Sequence, residues 1–418
     1  MTTDVKEAPR AFGALAVPGF RAFLGTFFLT MMADNIEHVI SYWLMFQKFH
    51  SPALGGFAVV SHWLPFLLFS VAVGALNDRF DSRRLIQIGG ALFACVSAGW
   101  GYLFLTDTLE MWQAMLLLVL HGCAGVFWTT SSQMLLYDIV GPDALNSAVR
   151  LNATARYLGV LVGPGVGSLV MLTLGPTRGI FLNTAFYLPL LVWLWRAPYG
   201  RHYHQTGTGP KRAVRGLADI VQTVRDLRGV PSILAMVLLV GAASFFIGNS
   251  YQAQMPGFAH DLGHGDPGIA YTSLLGADAA GALLAGVLLE SRGGLFRAQG
   301  SVALKLAACW AAALCSFALV RGYALALPLL FMAGFFELSF SSLAQTLVQL
   351  HAPQAIRGRV LGLFNMAAAG LRMFSGITVG LAGSVTNIHT SLCASALGFL
   401  LVAGLLRVRL GGASTAGS

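Results

Sequence analysis

The chain has 418 residues, is 56% hydrophobic and only 10% charged, and has a mean hydropathy of +0.70. Soluble domains carry roughly 25% charged residues, so a soluble globule is excluded. A net charge of +9 would suit nucleic acid, but the arginines lie between long apolar stretches, which points to a lipid bilayer instead.

The first ten residues, MTTDVKEAPR, lack the apolar core and cleavage site of a signal peptide. The chain is therefore expected to insert whole, with its N-terminus in the cytoplasm. A helix needs about 20 mostly apolar residues to cross roughly 30 Å of hydrocarbon. By that measure the first six spans are predicted at 19–46, 53–76, 84–105, 111–137, 146–173 and 179–197. Six more follow at 232–256, 268–290, 299–320, 323–349, 359–384 and 388–406.

Of the 26 Lys and Arg, three (Lys48, Arg178, Arg321) fall in outer segments and three (Arg156, Lys305, Arg372) fall inside spans. The other 20 lie on the inner side if both termini are cytoplasmic, a strong positive-inside asymmetry. The prediction is an all-α integral membrane protein with twelve transmembrane helices in two six-helix bundles. The N-terminal bundle covers 1–197, a cytoplasmic linker 198–231, and the C-terminal bundle 232–418. In the linker, Val214, Leu217, Ile220, Val221, Val224 and Leu227 recur at helical spacing opposite basic residues. That pattern suits either an amphipathic helix on the membrane surface or a plain tether. The five cysteines (Cys95, Cys123, Cys309, Cys315, Cys393) sit in apolar runs without metal-type spacing and read as small buried hydrophobes.

The loop GALNDRFDSRR, residues 74–84, joins spans 2 and 3 and packs Gly74, Asp78, Arg79, Arg83 and Arg84 into one short connection. Gly74-x-x-x-Asp78-Arg79 has a weak counterpart in Gly286-x-x-x-Glu290-Ser-Arg292 at the end of span 8, and Pro142 after span 4 matches Pro353 after span 10. Two similar bundles joined by one linker suggest parallel repeats, which place substrate between the halves near the midplane. In span 5, Gly159-x-x-x-Gly163-Pro164-x-x-Gly167 would kink the helix and admit a close neighbour.

With these motifs the chain resembles the major facilitator superfamily over nearly its whole length, and within it the drug and siderophore exporter branch that includes macrolide and enterobactin exporters. The 74–84 loop matches that branch's form of the family loop, and RGRVLGLF at 357–364 is typical of the start of its span 11. The span 5 motif resembles the one associated with antiporters, although Ser168 stands where a second glycine is common. The family's usual span 4 arginine is absent, and His121 lies in that helix instead. The resemblance implies a gating role for Gly74, Asp78, Arg79, Arg83, Arg84, Gly163, Pro164 and Gly167. Independently, the dipole at the start of span 11 favours an anion such as Asp78. Simple anchoring of the loop by its arginines is the alternative.

Ionisable groups inside a membrane are functional candidates by default. At about 1.5 Å per residue, Asp34, Asp278, Glu337 and Arg372 lie roughly 18–20 Å above the cytoplasmic edge. Arg372 is expected to pair with Glu337 or Asp278, leaving the other acid to carry a proton. Asp34, Glu37, His38 and Ser41 share one face of span 1. His38, His62 and His121 lie at one depth, roughly 24 Å up, where they could shuttle protons, bind a divalent metal, or face apart. Asp34-x-x-x-His38 resembles the first-helix metal pair of ferroportin-type iron exporters. Lys305 and Arg156 are expected to snorkel, with a structural role at the span 5 kink as the alternative for Arg156.

These features predict a proton-coupled exporter of an organic amphiphile, working by alternating access as a monomer in a bacterial-type inner membrane. The alternative is export of a divalent metal or metal chelate through Asp34, His38 and the neighbouring histidines. No GxxxxGK[ST], HExxH or GxSxG motif occurs, so an ATP-driven machine and an enzyme are disfavoured, and no cofactor is expected.

Overall fold

The computed structural model describes residues 12–49, 52–199, 216–248, 250–262, 267–291 and 298–415. Among them the protein is helical, with no strand. The N-terminal half holds α1 (Pro18–Phe49), α2 (Pro52–Asn77), α3 (Ser82–Leu105), α4 (Met111–Leu174) and α5 (Pro176–Arg196). The short α6 (Leu217–Asp226) lies in the linker, whose preceding residues 200–215 are outside the described residues. The second half holds α7 (Pro231–Phe246), α8 (Ser250–Ala253), α9 (Met255–Asp261), α10 (Pro267–Ser291), α11 (Gly300–Leu319) and α12 (Tyr323–His351). It closes with α13 (Arg357–Asn365), α14 (Arg372–Ser375), α15 (Ala382–Val385) and α16 (Ile388–Thr415).

Nine helical segments among the described residues are long and apolar enough to cross a membrane. One of them, α4, has 64 residues, enough for two crossings. With α1 and α5 the total is twelve, as predicted. The two arms of α4 divide at Gly141, whose φ of 68° and ψ of −179° reverse the chain without steric penalty because glycine has no Cβ. Pro142 follows, where its missing N–H is not needed.

Two predicted spans are broken. The span 7 helix ends at Phe246; Gly248 then adopts φ 50°, and α8 and α9 complete the crossing. Span 11 alternates between α-helix and wider π-type turns, at Met366–Gly370 and Gly376–Leu381. Apolar periodicity cannot anticipate such turns, which are often found at functional positions. Each half has its own core: Phe20, Phe23, Trp128 and Tyr187 in the first, Trp310, Phe317, Phe340 and Phe399 in the second.

Glycine sets the closest approaches. In the second arm of α4, Gly159, Gly163 and Gly167 face α1, and a Cβ on Gly163 would lie 2.6 Å from that of Asn35. Gly74 and Gly358 meet backbone to backbone across α2 and α13. Small residues at four-residue spacing allow such seams in lipid.

In the linker, α6 buries Asp219 and Thr223, Leu227 is buried just after it, and Ile220 and Val224 pack against the same core, with α6 against α2 and α13. Val221 is exposed. Cys95 and Cys309 are exposed rather than buried, and Cys315 and Cys393 bring their sulfurs to 3.0 Å across α11 and α16.

The glycine seams are directly testable. Gly163→Ala should destabilise the protein by about 1–3 kcal/mol, since overpacking a tight contact forces the backbone to move. Gly165→Ala, two residues away with nothing within 4 Å of its Cβ position, should leave the melting temperature close to wild type. Thermal unfolding of the two purified variants checks both.

Candidate functional site

A cavity of about 190 Å³ lies between the halves and is lined from both sides. The first half contributes Asp34, His62, Trp63, Phe66, Trp128 and Arg156; the second contributes Glu337, Phe340 and Arg372. Aromatic walls with a few placed polar groups are the recipe of a site for a largely apolar ligand. Trp63 and Trp128 reach this cavity, whereas Trp43 is exposed.

Beside the cavity, α1 and the first arm of α4 build a buried triad. His121 bonds through Nε2 to Asp34 Oδ1 at 2.9 Å and through Nδ1 to Glu37 Oε1 at 2.8 Å. Spacing of i, i+3 puts both acids on one face of α1, and His121 enters between them. Both ring nitrogens face carboxylate oxygens, so three groups hold either an imidazolium or a proton on an acid. His38 Nδ1 lies 3.8 Å from Asp34 Oδ2, while Glu37 Oε2 and His62 Nδ1 are buried without hydrogen-bond partners. The triad is thus bordered by buried polar atoms with no hydrogen-bond partner. Ser41, on the same face, donates to the Glu37 carbonyl and plays no part in it.

The three histidines do not face apart. His38 and His62 ring centroids are 5.0 Å apart, His38 and His121 4.8 Å, and their ligand atoms lie within 4.8 Å of one another. Zinc–nitrogen bonds of about 2.0–2.1 Å need ligand atoms closer than this. His121 is also engaged at both nitrogens, so a metal would have to displace Asp34 or Glu37 from it.

In the second half, Tyr251 from α8 bridges two acids. Its hydroxyl lies 3.1 Å from Asp278 Oδ2 on α10 and 3.4 Å from Glu337 Oε2 on α12. Gln252 Nε2 donates to Asp278 at 2.8 Å. One hydroxyl proton serves two carboxylates, an arrangement suited to holding a shared proton. Arg372 does not pair with either acid as expected. Its Nε donates to the Ala368 carbonyl at 3.0 Å, and its guanidinium lies 5.2 Å from the Trp63 ring of the other half. The π-type turn just before it, Met366–Gly370, redirects the side chain toward α2, which a regular helix register would not reveal. Arg156 does not snorkel either, because it lines the cavity.

Below the cavity, at the end carrying the 74–84 loop, two polar latches join the halves. Asp78 Oδ1 accepts from the Gly358 N–H at 2.6 Å, and Oδ2 accepts from Arg359 Nη1 at 2.8 Å, at the N-terminus of α13. Arg359 Nε also donates to Asp219 of α6 at 3.1 Å, which ties the linker helix into the same contact. The second latch is related by the sequence repeat: Glu290 accepts from Arg150 Nε at 2.9 Å and from the Ser147 hydroxyl. Arg292, its neighbour in the repeat, is outside the described residues. Between the latches and the cavity, Gln133 and Asn365 exchange side-chain amide bonds at 3.0 and 3.2 Å across the halves.

The remaining loop residues are placed differently. Arg83 pairs with Asp81, the N-cap of α3, at 2.6 Å and donates to the Ala197 carbonyl, while Arg84 bonds Gln87 at 2.9 Å. Both interactions lie within the first half and brace its loop. Arg79 lies near the Phe80 ring with a buried Nε lacking a partner. Gly163, Pro164 and Gly167 lie on the α1 seam. Sequence reasoning missed Arg150, Gln133, Asn365, Tyr251 and Asp219 as site residues. The match of Glu290 to Asp78 was the one signal that could have led to Arg150, and the others carry no motif.

A family model described as transmembrane secretion effector matches residues 10–415. The multidrug efflux pump Tap of Mycobacterium tuberculosis is 26% identical over 408 residues, covering 92% of both chains. The enterobactin exporter EntS of Shigella boydii is 23% identical over 397 residues, covering 93% of this chain and 91% of its own. The E. coli fucose:proton symporter FucP shares the fold at a TM-score of 0.73 with 14% identity, covering 96% and 99% of the two chains.

The surroundings of Asp78 predict a pH dependence for its latch. Burial outweighs the bonds from Gly358 and Arg359 and pushes the Asp78 carboxyl up to about 6. An aspartate in an open, hydrated loop titrates near 4. The latched state thus binds the proton more tightly, and lowering the pH from 7 to 5 should favour it. In a melting-temperature profile from pH 4 to 8, Asp78→Asn should flatten the rise in stability that wild type shows as pH falls through 6.

Proposed function

The chain belongs to the transmembrane secretion effector family of the major facilitator superfamily, and on that premise we propose that it is a proton-coupled antiporter that exports an organic amphiphile by alternating access. It is a multi-pass membrane transporter and not an enzyme. The observation that carries the reading is the cavity between the halves, where aromatic walls adjoin two proton-holding clusters, Asp34–His121–Glu37 and Asp278–Tyr251–Glu337. The names of its relatives Tap and EntS support drug- or siderophore-like cargo.

In this reading residues 1–197 and 232–418 rock against each other around the cavity, with the linker 198–231 between them. The loop end and both termini face the cytoplasm of a bacterial inner membrane, and the protein works as a monomer. With both latches closed the cavity is shut from the cytoplasm. Cargo and protons bind the same cavity in turn, because Asp34 and Glu337 line it. Protonation of the triad or of the acid pair changes the charge of the cavity wall and so its affinity for cargo. Opening toward the cytoplasm requires both latches and the Gln133–Asn365 pair to separate. Metal export through Asp34 and His38 gains no support from these relatives and would require the triad to come apart.

The test is proton release from protein reconstituted in vesicles, on adding a panel of siderophores, macrolides and lysolipids. Release should follow an organic compound, and Asp34→Asn should reduce pH-gradient-driven transport by at least about ten-fold, the size of one lost charge-assisted contact. If Asp34→Asn, Asp278→Asn and Glu337→Gln all kept pH-driven transport, proton coupling through these groups would be wrong.

A further inference from the structure

Arg156 and Arg372 enter one cavity from opposite halves, the first on the second arm of α4 and the second on α14. Arg372 lies within electrostatic reach of Arg156 and, with opposite sign, of Glu337, which forms no direct ion pair with it. Arg372 lies over Trp63 at 5.2 Å, and Arg156 lies 5.3 Å from the ring of Tyr157. Among the described residues, neither has a carboxylate oxygen within ion-pair distance. The acids of the cavity are held elsewhere: Asp34 by His121 at 2.9 Å, and Glu337 with Asp278 around Tyr251. Two cations therefore face a largely apolar, aromatic space, where an unmatched charge is expensive.

We propose that Arg156 and Arg372 form an anion subsite, so that the cargo is an aromatic amphiphile bearing an oxyanion such as a carboxylate, sulfonate or phosphate. The inference rests on the reading of this cavity as the seat of an organic amphiphile. A guanidinium presents a planar fork of donors matched to an oxyanion, and Trp63 and Trp128 offer flat faces to the ring system. One arginine comes from each half, so a bound anion relieves the repulsion between them and draws the halves together. Cargo binding would in this way favour the state in which the cavity narrows.

The test uses two probes with the same ring system and opposite charge, 1-pyrenebutyrate and 4-(1-pyrenyl)butyltrimethylammonium. Binding is read by energy transfer from tryptophan to pyrene in lipid nanodiscs, with empty nanodiscs subtracted. Wild type should bind the butyrate at least about ten-fold more tightly than the ammonium probe, the scale of one charge-assisted contact. Arg372→Gln and Arg156→Gln should each remove about that factor for the butyrate and bind the ammonium probe at least as tightly as wild type, while Arg372→Lys should keep part of the preference. Equal binding of the two probes, or tighter binding of the ammonium one, overturns the anion subsite and leaves the amphiphile reading intact. The wild-type comparison decides this even if a variant fails to fold. Failure of both probes to bind overturns the amphiphile reading and the subsite together.

Discussion

Matching of buried charge in a low-dielectric interior organises this protein from one end of the bundle to the cavity. A lone ion in hydrocarbon is costly, so each charge needs an opposite charge, a dipole or water. At the loop end the solution is pairing across the halves: Asp78 on the α13 N-terminus and Arg359, and Glu290 on Arg150 and Ser147. Around the cavity it is pairing within each half, Asp34 and Glu37 on His121, and Asp278 with Glu337 around Tyr251. The first kind of contact joins the two halves; the second kind lies wholly within one of them.

The two latches give the weak sequence repeat a physical counterpart. Asp78 and Glu290 each end a helix after a glycine four residues earlier, and each reaches across to the start of a helix in the opposite half. The details differ. Asp78 leans on backbone N–H groups at the start of α13 and brings in Asp219 from the linker helix through Arg359. Glu290 relies on side chains alone and is fully buried. The side bearing the linker is thus the one with an extra handle on it.

Length, hydropathy and arginine placement were enough to read the number and order of the crossings, because a bilayer imposes one length scale on every span. The interruptions of spans 7 and 11 were not legible. A π-type turn adds one residue per turn and leaves the apolar character of the segment unchanged, and Gly248 is one glycine among 49. Within the site, spacing placed Asp34 and Glu37 on one face of α1, but it could not say that His121 would sit between them. That pairing joins α1 to α4 and depends on the packing of distant segments. The same limit explains Arg372: depth alone suggested an acid as its partner, while the turn before it sends the guanidinium to Trp63 of the other half. Arg150 and the Gln133–Asn365 pair are single polar residues in apolar runs, with no local pattern to mark them.

The seam between α2 and span 11 has a consequence for how such a protein can be tuned. Gly358, Gly362 and Gly370 press directly on the backbone of α2, at Gly74, Ser70 and Leu67. This face belongs to both halves at once. A side chain added there leaves the core of each half untouched and loads only the contact between them. Under the rocking motion proposed above, its effect is a shift in the populations of the two states, by as much as the added group favours one over the other. These glycines are therefore positions where a single methyl group acts on the contact between the halves without lining the cavity.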